Sequence, residues 1–407
     1  MKKKILKRLT IVFISLIGFG CAAIAFACSD GFDLEETYYS FFTPETSHAD
    51  SYAPFYRSLH ALYHHEETDN VNDFNAKNIE EWNEFFKNAV TPNDLDDLLY
   101  HSRTGEIDSL FIYLKDKSCP CIDRLKKNSI LKVKDKSTVL NFVEYLQYAK
   151  NCEPYATYID WYWNEDDNEL DLKKHGDVAF NLIAEGKKRM EHVKPGFIKD
   201  RYMFQLLRLY FISNKLEEGL TFYREQFPKL SVRNSMQYRI MGIGAGMLYK
   251  QKKYAEANYI YSLIYDQNEI MKRSAATSFH PQEETDWNAC LNFATTTREK
   301  TVLWQLLGIY ADPLRAMKEI DKLDPASELQ DLLLTRAINL EEERVLPIRN
   351  SYDTLDTVYG FKRNRLNKEL VNFISATAKK ENTNKPYLWH LTAGYVSIMQ
   401  GDYKNAE

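Results

Sequence analysis

Two histidines, His60 and His64, lie four residues apart in His60-Ala-Leu-Tyr-His64-His65-Glu66-Glu67. That spacing puts two imidazoles on one face of a helix, within reach of a shared zinc ion. The order is not His-Glu-x-x-His, so the general base of a zinc protease is not where that chemistry needs it. A metal-dependent hydrolase built on this pair must find its third ligand elsewhere, and histidines at a helix end usually cap it or meet solvent. The pair is a weak metal candidate. Cys119-Pro120-Cys121 invites a redox or metal reading, but no second close cysteine pair completes a zinc knuckle, and a disulfide two residues apart is strained. Pairing of one of them with Cys152 is the expected alternative.

Tyr155, Tyr158, Trp161 and Trp163, together with Tyr162, precede the acidic run from Asn164 to Glu169. Exposed aromatic rings beside carboxylates can stack on sugars or line a peptide groove, although rings at helical spacing are more often core. The acidic run lacks the central glycine and terminal glutamate of a calcium loop and reads as a solvated turn. Gly242-Ile-Gly244-Ala-Gly246 resembles part of a phosphate loop but lacks the Lys-Ser/Thr that follows one, so its small residues point to close helix packing. No nucleophile elbow, kinase signature or spaced nucleophile–base pair occurs. Nothing here supports an enzyme, and no cofactor is implied.

The elements that must position these residues are helical. Glycine (15) and proline (12) make up about 7% of the 407 residues, against roughly 12% in average proteins. That scarcity argues against turn-dense all-β folds. Hydrophobic residues at 44% and aromatics at 14% exclude wholesale disorder. Ile79, Trp82, Phe85 and Phe86 recur at helical spacing, as do Phe142, Tyr145 and Tyr148. Thr43-Pro44 and Thr91-Pro92 read as helix starts, with threonine as N-cap and proline at the first helical position.

The N-terminus carries an address. Lys2, Lys3, Lys4, Lys7 and Arg8 precede an uncharged stretch from Leu9 to Ala27, the layout of a secretory signal. Gly18-Phe19-Gly20-Cys21 and Ala25-Phe26-Ala27-Cys28 both resemble a bacterial lipobox. Cys28 is the preferred lipid-attachment residue, because Ala-x-Ala precedes it and Ser29-Asp30-Gly31 follows as a polar tether. The expected location is therefore the envelope of a Gram-negative bacterium, membrane-anchored through the lipid; the alternatives are ordinary cleavage after Ala27 with no lipid and an uncleaved anchor helix. Without residues 1–27 the chain keeps 48 lysines and arginines against 58 acids, a net charge of −10. A body this acidic argues against nucleic-acid binding.

Tyr210…Leu216-Glu-Glu-Gly219…Tyr223 is repeated by Ala245…Leu248…Tyr254-Ala-Glu-Ala257…Tyr261, with Leu216 and Tyr254 38 residues apart. Ala393-Gly394…Gly401-Asp402-Tyr403-Lys-Asn-Ala406 is a third unit, and Trp304…Ala316…Pro325 is a looser fourth. These units resemble the tetratricopeptide repeat, in which small residues let two helices approach closely and large aromatics fill the gap to the next pair. The resemblance implies an all-α fold: a right-handed α-solenoid of helix pairs over 172–407. Before it come the signal at 1–27, a tether at 28–54 and an irregular helical region at 55–171. It also implies a scaffold that takes a protein or peptide partner. The alternative role is that of the SusD-like surface glycan-binding lipoproteins, which also combine a lipidated cysteine with such repeats. Residues 386–400 read as a first repeat helix and 401–407 as the opening of a second, so further repeats are expected beyond residue 407.

Overall fold

The computed structural model describes residues 42, 52, 55, 68–117, 122–156, 168–230, 234–345 and 366–406. The signal, Cys21, Cys28, Thr43-Pro44, His60, His64, Cys119, Cys121, Tyr158, Trp161 and Trp163 lie outside the described residues. Among the described residues the regular elements are helices and no strand occurs. None of these helices is long and apolar enough to cross a membrane. The chain divides into two compact units, one from His65 to Leu329 and one that joins Gln330–Glu407 to the N-terminal residues, of which Phe42, Tyr52 and Phe55 are described.

The larger unit opens with α1 (Thr68–Phe85), α2 (Pro92–Asp96), α3 (Thr104–Lys115), α4 (Lys136–Ala156) and α5 (Asn168–Glu191). The Thr91-Pro92 signal is realised in full: Thr91 is extended, its hydroxyl accepts from the Asp94 backbone N–H, and Pro92 opens α2. Trp82 centres the aromatic core of this part, with Phe142 and Phe197 edge-on at 4.6 and 4.7 Å. The stripe Phe142, Tyr145 and Tyr148 on α4 is buried throughout. The acidic run contributes its last two residues, Asn168 and Glu169, to the first turn of α5.

Then come α6 (Phe197–Ile212), α7 (Leu216–Gln226), α8 (Ser235–Lys250), α9 (Tyr254–Gln267), α10 (Lys272–Ser278), α11 (Glu284–Phe293), α12 (Thr297–Tyr310) and α13 (Pro313–Leu323). The turn from α6 to α7 and the turn from α8 to α9 have the same construction, 38 residues apart. In the first, Asn214 takes a left-handed φ of 55°, Lys215 N–H donates to the Tyr210 carbonyl at 2.9 Å, and Asn214 N–H to Phe211 at 3.2 Å. In the second, Lys252 has φ 60°, Lys253 N–H donates to Leu248 at 2.9 Å, and Lys252 N–H to Tyr249 at 2.9 Å. This is the Schellman helix stop, which satisfies carbonyls that the helix end leaves without partners. Asparagine and lysine hold the left-handed position usually given to glycine.

The smaller unit contains α14, which starts at Leu329 and runs to Val345, α15 (Lys368–Ala378) and α16 (Pro386–Gln400). Phe42 is fixed here: its backbone N–H donates to a Glu342 carboxylate oxygen at 3.2 Å, its carbonyl accepts from Asn339 at 2.9 Å, and its ring stacks on Tyr395 at 5.4 Å. Helix α16 ends in the same stop, with Gly401 at φ 79° and Asp402 N–H donating to Ser397 at 2.9 Å. Residues 401–406 then run as turns, not as the opening of a second helix.

Candidate functional site

The repeat residues read from the sequence fall mostly at helix contacts. Tyr210, Gly219, Tyr223, Ala245, Ala257 and Tyr261 are buried, and Tyr254 is half-buried with its ring edge-on to Tyr249 at 4.8 Å. A methyl group at Gly219 would meet the Tyr210 Cβ and the Met247 thioether at 2.8–2.9 Å. Glycine there lets α7 lie against α6 and α8. In the third unit, Gly394 faces the Ala406 carbonyl, while Tyr403 is 62% exposed and fills no gap between described helices. Tyr155, at the C-terminal end of α4, is half-buried; it is the one member of the aromatic candidate group within the described residues.

The expected pairing of Cys152 is not found. Cys152 is a free thiol with no exposed surface, turned inward on α4. Burial pushes its pKa up to about 12, and does the same to Cys290, also free. Such thiols are neutral at physiological pH and are poor nucleophiles. The helical stripe that buries Phe142, Tyr145 and Tyr148 takes Cys152 with it, so core packing sets its direction. Among the described residues no group of three or more His, Cys, Asp or Glu side chains is arranged to hold a metal ion.

What sequence reading missed is a polar cluster inside the larger unit. Arg201 of α6 is fully buried, and its Nη2 donates to Glu81 Oε2 at 2.8 Å and to Asn78 Oδ1 at 3.3 Å. The guanidinium carbon stands over Phe197, 3.4 Å from the ring centroid, and over Trp82 at 4.8 Å. The other oxygen of Glu81 accepts the Ser235 backbone N–H at 2.9 Å, one of the open donors of the first turn of α8. One carboxylate thus ties α1, α6 and the start of α8. A buried pair of this kind is costly to break, since either partner alone is an uncompensated charge. The residues involved are 120 and 154 positions apart, so no local pattern announces them.

Beside this cluster lies a cleft of about 380 Å³ between α1, α6, α8, α9 and α10. Arg239 of α8 stands on its wall, 4.4 Å over the Phe204 ring and 5.3 Å from Phe74. Among the described residues Arg239 makes no hydrogen bond and no ion pair; its contacts are these two ring faces. Burial first, and then repulsion from Arg208, pull its pKa down to about 10, so it remains a cation at neutral pH. The glycine run serves two purposes. Gly244 admits the Tyr223 ring, which a Cβ would meet at 3.0 Å, whereas Gly242 and Gly246 line the cleft.

No family model, no curated protein and no solved structure matches this chain.

Proposed function

We propose that the chain is an exported, lipid-anchored helical-repeat scaffold that holds a protein or peptide partner in the cell envelope. In this reading the helix pairs α6–α7 and α8–α9 are units of a right-handed, tetratricopeptide-like solenoid. The observation that carries it is the 38-residue recurrence. Helix starts (Phe197 and Ser235, Leu216 and Tyr254), left-handed turn residues (Asn214 and Lys252) and close-packing residues (Gly219 and Ala257) all recur in one register. Repetition of one helix pair buries a continuous core and leaves long surfaces free for a partner. The charge of −10 after the signal favours a partner that is not an anionic polymer. The signal-like N-terminus and Cys28 support the location.

The test is cross-linking in membranes of the producing cell, followed by isolation of this chain and identification of what is attached. The reading expects one envelope protein to recur with the wild-type chain and to fall away when Cys28→Ser releases the chain from the membrane. Recovery of this chain alone, at cross-linker levels that capture other envelope complexes, would contradict it.

A further inference from the structure

The Arg239 cleft is unexplained by the scaffold reading and is independent of it. Its walls are apolar: Phe74, Phe204, Phe211, Ile243, Ile264 and Met271 face the space. Its volume of about 380 Å³ lies near the lower end of the ~300–1,000 Å³ range of small-ligand pockets. At ~30 Å³ per water-sized group it has room for about a dozen. Among the described residues no counter-ion meets this cation at the apolar wall, and repulsion from Arg208 and Arg201 adds to its cost. Burial of an unpaired charge is expensive, and an anion brought to it removes that cost. The chemistry on both sides is therefore that of an amphiphile, a single anionic head on an apolar body.

The polar inventory of the walls selects the body. Ser274 already donates to the Met271 carbonyl at 3.0 Å, and the other hydroxyls on the walls are those of Tyr261 and Ser278. A peptide entering here would bring an amide N–H and C=O with every residue and find few free partners for them, which costs free energy for each group left unsatisfied. A saturated chain brings none. Gly242 and Gly246 let the apolar walls pack close to the α8 backbone: a Cβ at Gly246 would come 3.1 Å from the Phe211 ring and one at Gly242 3.2 Å from the Met271 methyl.

We propose that this cleft binds a medium-chain fatty acid, its carboxylate paired with the Arg239 guanidinium and its acyl chain laid between Phe204, Phe211, Ile243, Ile264 and Met271. The carboxylate takes the guanidinium as a two-pronged donor, the geometry in which arginine binds carboxylates best. Each added methylene should tighten binding by about fourfold until the cleft is full.

Calorimetric titration of the full chain with octanoate, decanoate, dodecanoate and dodecan-1-ol tests this. Affinity should rise along the acid series, and the alcohol should bind at least about tenfold more weakly than dodecanoate, because it lacks the charge. Arg239→Met should weaken dodecanoate at least about tenfold, whereas Arg239→Lys, which keeps the charge but not the two-pronged geometry, should recover only part of the affinity. The alcohol comparison uses only the wild-type chain, so it stands whatever Arg239→Met does to folding. Equal binding of acid and alcohol, no binding of dodecanoate, or an unchanged Arg239→Met would each overturn the proposal. So would capture by this cleft of an apolar peptide with a free C-terminal carboxylate in preference to the fatty acid.

Discussion

Asp200→Asn should stabilise the protein, and the gain should depend on pH in a defined sense. Asp200 lies in the first turn of α6, is 3% exposed, and its Oδ2 has no hydrogen-bond partner among the described residues. Its neighbour Arg201 is turned to Glu81. Burial raises the Asp200 pKa to about 6, against only partial relief from Arg201. An unfolded aspartate titrates near ~3.9. Between those two values the folded chain holds a proton that the unfolded chain has lost, so stability falls as pH rises from about 4 to about 6 and then levels. A shift of about two pKa units corresponds to about 3 kcal/mol of differential stability above that window. Asparagine keeps the shape and removes the charge. Urea melts from pH 4 to 8 should therefore show the variant more stable than wild type by about 2–3 kcal/mol at pH 7.5, narrowing to about 1 kcal/mol at pH 4.5. A difference that does not vary with pH, or a variant less stable at pH 7.5, would refute the reasoning and show that the Asp200 carboxylate is held by a stabilising partner.

Three further outcomes are expected. Ala257→Leu should overpack a fully buried helix contact and cost about 1–3 kcal/mol in a urea melt; an unchanged midpoint would place Ala257 at a yielding surface. Lys252→Gly should stabilise by about 0.5–1 kcal/mol by removing the Cβ from a residue held at φ 60°, and a loss of stability would mean that the lysine side chain contributes more than its backbone costs. Cys28→Ser should release the protein from membranes and abolish the mass added by a diacylglyceryl group, with intact-mass spectrometry and detergent partitioning as the readouts.

How much of this was legible in the sequence depends on how local each cause is. Thr91-Pro92 is a cap signal contained in four residues, and the structure uses it as read. The 38-residue register is a comparison of short segments, and the helix starts at Leu216 and Tyr254 fall on the residues that defined it. The identical turns at Asn214 and Lys252 were not foreseen, because neither is the glycine that marks such a stop. The Cys152 pairing was a matter of sequence proximity, but the helical phase of α4 turns that thiol into the core. The glycine run at 242–246 reads as packing, which accounts for Gly244 against Tyr223; its other two glycines line a cleft whose remaining walls come from α1, α6, α9 and α10. That cleft and the Glu81–Arg201 tie depend on side chains more than a hundred residues apart, and no periodicity or spacing rule reaches that far.

The scaffold reading is tested most directly by photo-cross-linking in living cells, with a photoreactive phenylalanine placed in turn at Phe180, Phe293 and Tyr310, which are 58, 43 and 48% exposed. The account predicts a discrete adduct with one and the same envelope protein from at least one position, lost when Ala257→Leu disrupts the helix pair. Irradiation that yields no protein adduct from any of the three, in cells where the chain is folded and membrane-bound, would contradict it.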